Sequence, residues 1–142
     1  MARPTRVVTT VADTGAIYAL IDRKDAWHAR VVEWWAGAAR RVYLPASILP
    51  EVCYLLATRI SADAEIALMR SVRDGELDVV EHEFADHARA HELMTTFRDM
   101  ELGFVDAMVI AAAERIGAVE ILTTDRRHFT AAPARRKWAL VP

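Results

Sequence analysis

Apolar and polar positions along the chain switch repeatedly between two periods, the pattern of alternating strands and helices. Residues 7–12 are β-branched and apolar and end at Asp13, which predicts a short buried strand. Thr14–Ile21 then places Ile17, Leu20 and Ile21 on one helical face. After a charged turn at 22–25, residues 26–38 form a second helix carrying Trp27, Val31, Trp34 and Trp35. A short strand at 41–44 follows. Ser47 is positioned as a helix N-cap, with Pro50 in the first turn and the helix continuing over 52–60. Ser61 caps a further helix to about Arg73, closed by Asp74-Gly75. The pattern next predicts an edge strand at 77–80 and a polar-faced helix at 84–98. Gly103 opens an apolar helix over Phe104–Ile116 that Gly117 ends, and strands follow at 119–123 and 138–141. The fold class expected from this alternation is α/β, with a mainly parallel sheet covered by helices on both faces.

At 142 residues, without a repeat or linker-like stretch, the chain is expected to form a single domain over 1–142. Its 54% apolar content supplies a core. The formal charge of −2 gives no overall basic character of the kind that announces a nucleic-acid binder. Cys53 is the only cysteine, which excludes an intrachain disulfide framework. No apolar segment long enough for a leader follows Arg3 and Arg6, and no uncharged run suits a membrane span. A cytoplasmic protein is therefore expected.

Four acids fall where ligands bind in an open α/β sheet, beyond the carboxyl ends of the strands. Asp13 follows the first strand, Glu51 lies in the first turn after the second, Asp106 lies in the first turn after Gly103, and Asp125 follows the strand at 119–123. Carboxylates gathered together repel unless protonated or neutralised by a cation. An all-oxygen set without cysteine or clustered histidine suits Mg²⁺ or Mn²⁺ rather than Zn²⁺, and such a site serves phosphodiester hydrolysis. Each acid also has an ordinary use: first-turn acids complement the helix dipole, and an Asp after a strand caps the next helix.

At these residues the chain resembles the PIN-domain family. Asp13-Thr14-Gly15-Ala16 with Tyr18-Ala19-Leu20, Leu44-Pro45 with Glu51-Val52, Gly103-Phe104-Val105-Asp106-Ala107, and Leu122-Thr123-Thr124-Asp125-Arg126-Arg127-His128-Phe129 are similar to the family's four motifs, in its order. The likeness is greatest to the VapC-type toxins of bacterial VapBC toxin–antitoxin pairs. The resemblance implies a PIN-like three-layer α/β/α sandwich and a Mg²⁺- or Mn²⁺-dependent endoribonuclease leaving a 5′-phosphate and a 3′-hydroxyl. It implies tRNA or rRNA as substrate, a VapB-type antitoxin as partner, and a homodimer. The catalytic metal ligands carry over to Asp13, Glu51, Asp106 and Asp125, with Thr14 and Thr124 as supporting hydroxyls and Asp99 as an acid beside the ligands. His128 stands where many relatives have a further acid, which bears on the number of metals held.

Charge is uneven: from Arg115 onward six basic residues (Arg115, Arg126, Arg127, Arg135, Arg136 and Lys137) accompany two acids, Glu120 and Asp125. Arg126 and Arg127, directly after an expected ligand, are candidates for RNA phosphates, against the alternative of a solvated basic face. His87 and His91 share a helix face but have no evident third ligand, so a polar surface is expected there. Cys53 reads as a small buried apolar group. The three tryptophans at 27, 34 and 35 are read first as core and second as an interface. Two rival functions remain: a nuclease of the same fold that is not a toxin, and a binding module that has lost catalysis. A phosphoacceptor receiver is disfavoured because the only lysines are Lys24 and Lys137, and the paired acids it needs after the first strand are absent.

Overall fold

Strand β1 (Val8–Ala12) is the strand from which the chain winds in both directions. A computed structural model describes residues 7–37, 39–127, 129 and 138–142. Helices α1 (Thr14–Ile21) and α2 (His28–Ala36) lead from β1 to β2 (Arg40–Pro45). A 3₁₀ turn (Ala46–Ile48) and helices α3 (Leu49–Arg59) and α4 (Ala62–Arg73) lead on to β3 (Asp78–Val80). The chain then crosses back through α5 (Phe84–Thr96), a 3₁₀ turn (Arg98–Met100) and α6 (Phe104–Ile116) to β4 (Glu120–Leu122), and β5 (Ala139–Val141) follows. The five strands lie in the order β3-β2-β1-β4-β5, and every pair is parallel. With the six helices of the described residues on its faces, this is the expected three-layer α/β/α sandwich.

The reversal of strand order between β1 and β4 opens a crevice at their carboxyl ends, where the first and fourth motifs emerge. Helix α6 is buried on every side over Ala107, Met108, Val109, Ile110, Ala111, Ala112 and Ala113. A helix apolar all round belongs inside a layered fold, and its alanines let neighbouring backbones come close. It runs against β1 and α5 and returns to the start of β4, so its first turn lies at the crevice edge. Ion pairs fix α5 to α6: Arg89 forks onto Glu114 at 2.9 and 3.1 Å, and Arg115 donates to Asp86 at 2.9 Å. Within the sheet Glu120 at the start of β4 accepts from Thr10 of β1 and from Arg40 of β2, whose guanidinium lies 4.6 Å from the Trp34 ring.

The expected elements are present, with local differences. Trp27 precedes α2 because the Asp25 carboxylate accepts its N–H at 2.8 Å and holds a turn there. Ala38 lies outside the described residues. Ser47 is not an N-cap: it sits inside the 3₁₀ turn, its N–H donates to His82 Nε2 at 3.2 Å, and α3 starts at Leu49 without a side-chain cap. Ser61 caps α4 as expected, accepting from the Ala64 N–H at 3.1 Å. Trp27, Trp34 and Trp35 are half-buried against the core, Cys53 is half-buried, and His87 and His91 are exposed. Among the described residues no helix is long and apolar enough to cross a membrane.

Candidate active site

Asp13 is the centre of the site. The chain leaves β1 at Ala12, and Asp13 becomes the N-cap of α1, its Oδ1 accepting the Ala16 N–H at 3.1 Å. Its own N–H donates to the Leu122 carbonyl at 3.0 Å, which ties the residue to the end of β4. Asp13 is only 7% exposed, so its carboxylate has little water to solvate it. The carboxyl is pushed up to about 7: burial raises it most, hydrogen bonds from Thr123 and the Ala16 N–H oppose the rise, and the charges of Asp106 and Asp125 add to it. Two of the other expected acids, Asp106 and Asp125, therefore act on Asp13.

Glu51 joins from the other side. It lies in the first turn of α3, and its Oε2 accepts a hydrogen bond from Thr14 Oγ1 at 2.8 Å. Thr14 is the residue after Asp13, so this hydrogen bond ties Glu51 to the residue next to Asp13. Asp106 occupies the first turn of α6 and is half-buried. Asp125 follows β4, and both its oxygens meet Arg127: Nε and the main-chain N–H reach Oδ1 at 3.3 and 3.2 Å, and Nη2 reaches Oδ2 at 3.2 Å.

The other expected residues take varied positions. Thr124 packs against Gly15 at the start of α1, so closely that a Cβ on Gly15 would stand 2.5 Å from the Thr124 hydroxyl. Asp99 lies exposed on the 3₁₀ turn after α5. Arg126 is exposed and donates to the Pro142 carbonyl at 2.8 Å. His128, Arg135, Arg136 and Lys137 lie outside the described residues.

Thr123 is a residue of the candidate site that the motif reading passed over in favour of Thr124. It is wholly buried; its hydroxyl donates to Asp13 Oδ2 and accepts the Asp125 N–H at 3.0 Å. One side chain thus links the first and fourth motifs. The signal in the sequence was its position: the strand expected at 119–123 ends on Thr123 rather than Thr124, and a hydroxyl buried at the end of a central strand needs a partner.

These carboxylates match a hard divalent cation by donor chemistry, and the desolvated Asp13 beside two further acids is the kind of group a cation would relieve. Among the described residues no three His, Cys, Asp or Glu side chains stand close enough to form a finished cation cage. Asp125 accepts from Arg127 and Glu51 from Thr14.

Comparison with known proteins agrees with this fold. The PIN domain family model matches residues 10–134, which includes all four acids, and the chain belongs to that family. It is 33% identical over 121 residues to Ribonuclease VapC26 of Mycobacterium tuberculosis, covering 85% of this chain and 90% of that one. Among solved structures it is similar to VapC20 of Mycobacterium tuberculosis, described as a Sarcin-Ricin loop cleaving toxin. The TM-score is 0.78 at 23% identity, over 89% of this chain and 98% of that one. It is also similar to DNA-bound VapBC of Salmonella typhimurium, with a TM-score of 0.70 at 15% identity over 94% and 97% of the two chains.

Proposed function

We propose that this chain, as one PIN-like domain over residues 1–142, is a divalent-cation-dependent endoribonuclease and the toxin of a VapBC-type toxin–antitoxin pair. The observation that carries the reading is the buried Asp13 at the β1–β4 crevice, under the charge of Asp106 and Asp125 and beside the Thr14–Glu51 hydrogen bond. Its support among relatives is Ribonuclease VapC26 and the VapBC toxin–antitoxin structures.

Asp13, Glu51, Asp106 and Asp125 would hold Mg²⁺ or Mn²⁺, which supplies an acidified water and charge neutralisation at a phosphodiester. The protein's own groups do the remainder. Thr123 and the Ala16 N–H fix Asp13 in one rotamer, so its oxygens need no reorganisation during reaction. Thr14 orients Glu51. We assign the exposed Arg126 and Arg127 to phosphates along a bound strand, once each leaves its present acceptor, the Pro142 carbonyl and Asp125. We assign tRNA or rRNA as the substrate class, a VapB-type antitoxin as the neutralising partner, a homodimer as the assembly and the cytoplasm as the setting.

The test is incubation of total bacterial RNA with purified protein in Mg²⁺, Mn²⁺ or EDTA, beside an Asp106→Asn variant. Discrete products that vanish with EDTA and with the variant are expected. Intact RNA under every metal, from folded protein freed of antitoxin, would overturn the nuclease reading. Growth arrest on expression, relieved by co-expressing the adjacent small gene, separates a toxin from a processing nuclease of the same fold.

A further inference from the structure

Arg127 engages Asp125 with three donors. Its main-chain N–H and Nε share Oδ1, and Nη2 takes Oδ2, so the guanidinium spans both oxygens of the carboxylate. A cation at the site needs lone pairs of that same carboxylate. The neighbouring basic residue does not share this arrangement, since Arg126 donates instead to the Pro142 carbonyl. The Arg127 side chain is 85% exposed and Asp125 46%, so the pair is weak enough to open.

Resting on the reading of Asp125 as a metal ligand, we propose that Arg127 is a built-in competitor for the cation: its guanidinium holds Asp125 until a divalent ion displaces it, and the displaced guanidinium becomes available to an RNA phosphate. The exchange is favourable in sequence. Opening the pair gives Asp125 to the ion and yields an uncommitted fork of donors two residues away, of the geometry that grips phosphate. Metal loading and readiness for RNA are then linked by one side chain. Lysine would not reproduce the device, because an ammonium has the charge but not the fork.

The test is Mg²⁺ binding by calorimetry at low salt, without RNA, for the wild type, Arg127→Ala, Arg127→Lys and Arg126→Ala. Losing both the competition and a like charge near the ion should tighten Mg²⁺ binding of Arg127→Ala by about three- to tenfold. Arg127→Lys should fall between the two, and Arg126→Ala should stay within about twofold of the wild type, as expected for an exposed charge paired elsewhere. In parallel, the wild-type Arg127 Nε–H NMR signal should shift toward that of a solvent-exposed arginine on Mg²⁺ addition. Equal or weaker binding by Arg127→Ala overturns the competition, as does equal tightening by Arg126→Ala, which would mark a general effect of net charge. Absence of Mg²⁺ binding in all four proteins overturns the metal-site reading itself, and the competition with it.

Discussion

Thr123 donates its hydroxyl to Asp13 across the parallel pair β1–β4, and the same oxygen accepts the Asp125 N–H. Two motifs more than a hundred residues apart in the chain are thereby held by one buried atom. Thr123→Val keeps the shape and removes that atom, leaving Asp13 Oδ2 and the Asp125 N–H without it. We expect a loss of about 1–3 kcal/mol in stability, together with at least a tenfold fall in RNA cleavage. Thr123→Ser should retain most of both. Urea denaturation alongside a cleavage assay checks this, and a fully active valine variant would remove Thr123 from the site.

Asp13→Asn should separate function from folding in the opposite sense. The carboxyl is buried under two like-charged neighbours, so its charge is a cost to the metal-free protein. The amide fills the same volume without that charge. In EDTA the variant should melt at the same temperature as the wild type or higher, while RNA cleavage falls to background. A folded variant with full turnover would contradict the ligand assignment.

Asp86 carries the acid sensitivity of the helical layer. Burial alone would raise its carboxyl, but hydrogen bonds from Arg115, the Glu83 N–H and His82 outweigh that and hold it below the usual range. A depressed folded value stabilises the protein above the unfolded value near 4, and that contribution is lost as pH falls through the folded value. Asp86→Asn should therefore cost about 2–4 kcal/mol near pH 7, and its gap from the wild type should narrow below about pH 4. Denaturant titrations at pH 7 and pH 3 measure both; a gap that does not change with pH would show that the charge of Asp86 is irrelevant.

The layer order, and the places of Asp13, Asp106 and Asp125 in it, were legible because each rests on a local signal: apolar strands ending at Asp13 and before Asp125, and the glycine at 103 opening a buried helix. Ser47 misled because an N-cap and a 3₁₀ turn use the same residues. What decided between them was His82, 35 positions away, accepting the Ser47 N–H. Thr123 was passed over for a related reason: two adjacent threonines look alike as motif residues, and burial just beyond β4 decides which one meets Asp13. The pairing of Arg127 with Asp125 was likewise invisible, since spacing by two residues does not determine where a flexible guanidinium settles.

Gly15 tests how closely the first and fourth motifs must approach. It is the second residue of α1, where alanine would ordinarily favour the helix by up to about 1 kcal/mol. Here a Cβ would stand 2.5 Å from Thr124 Oγ1, so the threonine must turn or the loop carrying Asp125 must move. We expect Gly15→Ala to be destabilising by about 1–2 kcal/mol, as overpacking usually is, and to lower cleavage. Thr124 Cβ lies 3.9 Å from the same point, an ordinary contact, so Thr124→Ala should relieve the clash. The double variant should then recover most of the stability lost by Gly15→Ala alone, a coupling that a double-mutant cycle on thermal unfolding reads directly. Simple additivity of the two substitutions would show that this contact does not set the distance between the motifs.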